Sequence, residues 1–142
     1  MIAAEGKRRK AREALFRVVY QADLMGEPYG QAWAAAREEE GLDEDQGQLV
    51  DDVVKTLEVR ATEVDATLGE AAEKWELTRL AATDRAVLRG AVGELMGRPG
   101  TPARVILNEA IEIAKRFGSE ESGRFVNGVL DRVARALRPG EL

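Results

Sequence analysis

The chain is predicted to be all-α, with about seven helices, and three observations carry that expectation. Apolar residues recur at three- and four-residue steps along nearly its whole length. No stretch keeps the period-two alternation of a half-buried strand. The glycine- and proline-bearing stretches GEPYG (26–30) and GRPG (97–100) fall between the periodic segments, where they act as punctuation. A length of 142 residues, 44% hydrophobic and 33% charged, suits one folded domain spanning 1–142.

The first helix is expected from about Lys7 to Met25. Ala11, Ala14, Leu15, Val18, Val19, Ala22 and Met25 make its buried stripe, and Arg9–Glu13 and Glu13–Arg17 are available as i,i+4 pairs. GEPYG ends it, and a short second helix, QAWAAAREEE (31–40), runs to Gly41. A long helical pattern begins near Asp45 with Val50, Val53, Leu57, Val64 and Leu68 inward. It reaches the region of Trp75 with one irregularity around Gly69. A fifth helix carries Val87, Leu88, Ala91 and Leu95, with Thr83 or Asp84 as N-cap.

After GRPG, Thr101 is expected to cap a sixth helix with Pro102 in its first position. Its stripe is Ile106, Ala110, Ile113 and Phe117, closed by Gly118. Ser119 caps the last helix, where Glu120 and Glu121 suit the positive end of the helix dipole. Its inner stripe is Val126, Val129, Leu130, Val133 and Leu137. Asn127-Gly128 would elsewhere signal a hairpin, but the apolar period runs through it unbroken, so Gly128 is assigned to a close helix–helix approach.

Charge is unevenly spread. Five cations face one anion in residues 1–12, eight face nineteen in 13–97, and eight face six in 98–142, for a net charge of −5. The basic run Lys7, Arg8, Arg9, Lys10 and Arg12 thus opens an acidic chain, and it reads either as a solvated start or as a local anion-binding patch. Helical phase joins it to the first helix, at least from Ala11 onward. Whether Lys7 and Arg8 are ordered without a ligand is left open by the phase.

Much chemistry is excluded. There is no histidine and no cysteine, so the commonest general base, the thiolate nucleophile, disulfides and thiolate-bound zinc are absent, and an enzyme is not expected. GLDEDQG (41–47) places Gly47 and Val54 where a calcium loop needs oxygen ligands. The glycines at 90, 93, 97 and 100 lack the residues of a phosphate loop. The run Glu38–Glu40 reads as a solvated face. No cofactor or metal is expected, no apolar run approaches the roughly 18–20 residues of a membrane span, and a cytoplasmic location fits. What stands out is a second set of cations, Arg79, Arg85 and Arg89, of which the last two share a helix face. Arg124 and Phe125 stand out too, as an outward guanidinium and stacking ring or as an edge of the core.

RRKAREALFRVVYQADL (8–24), LTRLAATDRAVLRGAVGEL (77–95) and VILNEAIEIAKRFGSEESGRFVNGVLDRV (105–133) resemble the three signature regions of the NusB family of bacterial transcription antitermination factors. The likeness is weakest over 26–75. It implies two packed three-helix groups and binding of the boxA element of single-stranded leader RNA. The expected partners are the small ribosomal protein NusE and the transcription elongation complex, and some members self-associate as homodimers. By the same resemblance, Lys7, Arg8, Arg9, Lys10 and Arg12 meet RNA, with Arg79, Arg85 and Arg89 along its path and Arg124 and Phe125 as a basic–aromatic pair. Tyr20 and Asp84 match the NusE-facing surface. Glu121, where some members have aspartate, is grouped with them beside the RNA path. Asn108, Glu109 and Asn127 are signature residues assigned to buried inter-helix hydrogen bonds. Competing readings are the RNA-targeting domain of a ribosomal RNA methyltransferase, a purely structural or oligomeric helical protein, and a helix-turn-helix DNA reader. The first lacks a cofactor-binding half in this chain, and the last lacks a basic recognition helix.

Overall fold

The computed structural model describes residues 2–73 and 80–142, with side chains from residue 6 onward. Seven helices follow one another: α1 (Ile2–Met25), α2 (Tyr29–Glu40), α3 (Glu44–Val59), α4 (Ala61–Ala72), α5 (Ala82–Gly97), α6 (Ala103–Phe117) and α7 (Glu120–Leu137). Helices α1–α3 pack on one another and α5–α7 on one another, giving two three-helix groups with α4 between them. Helix α5 is the common wall, in contact with α1, α3, α4, α6 and α7. Its sequence explains this. Ala86, Val87, Leu88, Gly90, Ala91, Val92, Gly93, Glu94 and Leu95 are all buried, a run that leaves no solvated face over its middle turns.

The small residues of α5 set the closest approach. A Cβ at Gly93 would lie 2.9 Å from Val53 Cγ1 and 3.0 Å from Leu57 Cδ2, so α3 crosses there only because hydrogen stands in place of a side chain. The close approach expected at Gly128 is not found; a Cβ there would meet nothing within 4 Å.

Several boundaries differ from the expectation. Helix α1 begins at Ile2, so the basic run sits inside a helix, and Met25 is 71% exposed past the end of the stripe. The break in the long pattern falls at Arg60 (φ −115°, ψ 29°), and Gly69 continues the helix; turning there lets α4 reach α5 and α7. Helix α5 starts after Ala81 with no side-chain cap from Thr83 or Asp84. Helix α6 starts after Pro102, and its first N–H group is served from far along the chain, since Ala103 N–H donates to Glu141. Gly118 has φ −119° rather than a left-handed turn; there a Cβ would press on Ser122 and the Ala114 carbonyl. Ser119 caps α7 as expected, accepting from Ser122 N–H at 3.1 Å. Arg138 closes the far end by donating to the carbonyls of Leu95, Arg98 and Thr101. Among the described residues no helix is long and apolar enough to cross a membrane, and no acidic cluster could hold a metal ion.

Candidate nucleic-acid interface

The basic run lies where α1 meets α3, α5 and α6, and its cations go three ways. Lys7 and Lys10 are exposed. Arg8 reaches to Asp45 in the first turn of α3, with its two N–H groups 3.2 and 3.3 Å from the two carboxylate oxygens. Arg9 reaches the other way, to Glu109 on α6, with both bonds at 2.6 Å. Successive residues turn by about 100° on a helix, which is why neighbours in sequence meet different helices. The hydrogen bond from Arg8 holds the Asp45 carboxyl below the usual carboxylate range, and the bond to Glu109 raises the Arg9 guanidinium.

Arg12 corrects the reading of the run as one exposed arm. It is 4% exposed and donates to Glu94 of α5 at 2.8–3.1 Å, with Glu109 a further 3.7 Å from its head. Its guanidinium is enclosed at the junction of α1, α5 and α6, where it roots the arm rather than extending it. The local pairs Arg9–Glu13 and Glu13–Arg17 are likewise replaced: Arg9 turns to Glu109, Glu13 to Arg116 and Arg17 to Glu40.

Arg85 and Arg89 form a separate site. Arg89 bonds Asp65 at 3.0 Å and lies 3.0 Å from Asp23, while Arg85 donates to the Leu80 carbonyl at 3.3 Å and approaches Asp23 at 3.9 Å. Tyr29 O–H donates to Asp23 at 2.7 Å, and burial raises its pKa. Asp23 follows Arg12 on α1 by eleven residues, roughly 16 Å along the axis. The two arginine side chains are 16% and 17% exposed, so this set ties α1, α4 and α5 together at the end opposite the basic run. Arg79 lies outside the described residues.

Asp84, Glu121 and Phe125 are brought together. They line an open groove of about 360 Å³ with Leu80, Ala81, Ser119 and Ser122. Phe125 is half-buried against the core and also borders a second groove of about 330 Å³ with Glu73, exposed Arg124 and exposed Arg132, so the ring packs at the edge of the core and faces open space on its other side. Tyr20 stands on α1, 5.8 Å from the Phe16 ring, which stacks on Phe117 at 4.7 Å. Asn108 and Asn127 are exposed, contrary to the buried role expected of them, whereas Glu109 does bridge helices. Sequence reasoning missed Glu94, although it falls at the inward phase of α5 after Val87 and Ala91. It also missed Arg132, which donates to the Ala71 carbonyl.

The model of the NusB family matches residues 9–135. The chain belongs to the NusB family. It is 41% identical over 141 residues to a transcription antitermination protein NusB of Koribacter versatilis, covering 96% of this chain and 94% of that one. It is 42% identical over 132 residues to its counterpart in Sorangium cellulosum, covering 93% and 94%. NusB of T. maritima superposes with a TM-score of 0.80 at 36% identity over 90% of each chain. A crystal structure of the antitermination factors NusB and NusE in complex with dsRNA matches at TM-score 0.82 and 27% identity, over 92% of this chain and 97% of that one.

Proposed function

We propose that this NusB-family chain is a transcription antitermination factor. It binds boxA-type single-stranded RNA jointly with NusE, in the setting of the transcription elongation complex. The observation that carries the reading is the basic turn of α1: exposed Lys7 and Lys10 flank two guanidinium forks at the surface, on a body whose charge is otherwise acidic. RNA phosphate is drawn to that turn and repelled by the acidic stretches of the body. The grooves beside Phe125 offer a ring and the Arg124 and Arg132 cations for unstacked bases. Asp84 and Glu121 form an acidic lip suited to a partner that presents cations.

Titration of labelled boxA-type RNA at several salt concentrations tests this. With about four phosphates neutralised, log K should fall against log salt with a slope near −3, from roughly −0.7 per contact on a single strand. Replacing both Lys7 and Lys10 by alanine should reduce that slope by about 1.4. A flat response overturns the reading. Because the related complex holds double-stranded RNA, a duplex competitor belongs in the same titration, and a duplex that displaces the strand at equal concentration overturns the single-strand preference.

A further inference from the structure

Two of the surface cations on the basic turn are already engaged. Arg8 forks onto Asp45 and Arg9 onto Glu109, each with two N–H groups directed at two carboxylate oxygens. A phosphodiester offers its two non-bridging oxygens in the same planar arrangement, so a guanidinium fork cannot serve both acceptors at once. We infer that Asp45 and Glu109 act as internal competitors of RNA phosphate, and that they set how tightly and how selectively the arm binds; the inference rests on the RNA-binding reading above.

Both exchanges can begin from solvent, since the Arg8 and Arg9 side chains are 27% and 40% exposed. They are also independent, because the competing carboxylates stand on α3 and α6. Swapping carboxylate for phosphate has a distinct ionic signature. Phosphate neutralisation releases a counterion, but the freed carboxylate takes up another, so an arginine taken from an internal pair adds little to the salt slope. In the wild-type chain Lys7 and Lys10 then supply about 1.4 of the slope near 3, and the rest comes from cations outside the two forks, such as Arg124 and Arg132. Selectivity follows from the same exchange. A lone anion meets one fork and gains only the swap, whereas adjacent phosphates of one strand reach the lysines and both forks together, and each later swap is intramolecular.

The test uses the full chain and a labelled short single-stranded boxA-type RNA, comparing wild type with Asp45→Asn, Glu109→Gln and a control, Glu63→Gln. Glu63 pairs with Arg60, just past the end of α3 and roughly 22 Å along its axis from Asp45, so the control removes the same charge without touching the arm. The start of α3 keeps its capping box, Asp43 with Gln46, in the Asp45 variant, and circular dichroism verifies each fold. Asp45→Asn is expected to tighten binding by about three- to tenfold and to steepen the salt slope by about 0.7, while Glu63→Gln keeps the wild-type slope. Should Glu109→Gln not fold, Asp45→Asn decides alone. An Asp45→Asn slope and affinity equal to those of Glu63→Gln, with wild type binding normally, overturns the competition and leaves the RNA reading intact. No RNA binding by wild type overturns both.

Discussion

Lys10 and Arg12 stand two positions apart in one basic run and do opposite work. Lys10 is in water, while Arg12 is enclosed with Glu94. Truncating one member of a buried pair leaves the other charge uncompensated, so Arg12→Ala should lower stability by about 3–5 kcal/mol in urea denaturation, whatever it does to RNA. Lys10→Ala should shift stability by less than about 0.5 kcal/mol and weaken RNA binding alone. A loss of affinity in Arg12→Ala is therefore informative only beside its denaturation curve. Sequence phase places Arg12 on the flank of the stripe, but it cannot say that a carboxylate from α5 closes over it. That partner comes from a residue 82 positions away.

For single helices, the clearest contrast is between two glycines. Gly93→Ala forces a methyl group against Val53 and Leu57 and should destabilise the fold by about 1–3 kcal/mol; Gly128→Ala meets open space and should stabilise it by about 0.5–1 kcal/mol through helix propensity. Thermal melts of the two variants check both signs. From sequence, each glycine lies within a helical segment in the same way, and only the neighbour's side chains distinguish them. The helix stripes themselves were legible, because an apolar period is a property of one segment. Caps were less so: Ser119 serves its own helix and was readable, whereas α6 is capped by Glu141, from beyond α7.

The α2–α3 link carries a pH dependence of known sign. Arg37 donates to Asp51 at 2.6 Å and Trp33 Nε1–H donates to it at 2.7 Å, and the Arg37 bond leads in holding the Asp51 carboxyl below its usual value. A carboxylate depressed in the folded state contributes stability above its unfolded value near 3.9, and that contribution is lost as pH falls through the folded value. In a Trp75→Phe background, Trp33 fluorescence should hold steady from pH 7 to about pH 4 and change below it. A transition centred above pH 5 would reverse the assigned sign.

At the scale of the whole molecule, the family and its fold were legible because the three signature stretches cover much of α1, α5 and the α6–α7 pair, that is, the common wall and helices that pack on it. The candidate site was legible only in outline. The arm is where the charge count places it, yet Arg85 and Arg89 belong to a different end, because spacing along a helix reveals a shared face and not the acidic residues opposite it. Asp23, Asp65 and Tyr29 come from three other helices. Charge totals share this blindness: the acidic middle of the chain is not only a repelling surface but also supplies the internal partners of the arginines.

Helix α5 touches five neighbours and is buried through its middle turns, and this bears on how the molecule opens. Neither three-helix group can detach without exposing that shared wall, so partial unfolding confined to one group is costly. Native-state hydrogen exchange should therefore find the amides of Val87 to Leu95 among the slowest, opening only with the free energy of complete unfolding. The N-terminal amides of α1, which lack acceptors within the helix, should exchange freely. The end of α1 that carries the cations proposed to meet RNA would then be the labile part of a helix otherwise packed along α5.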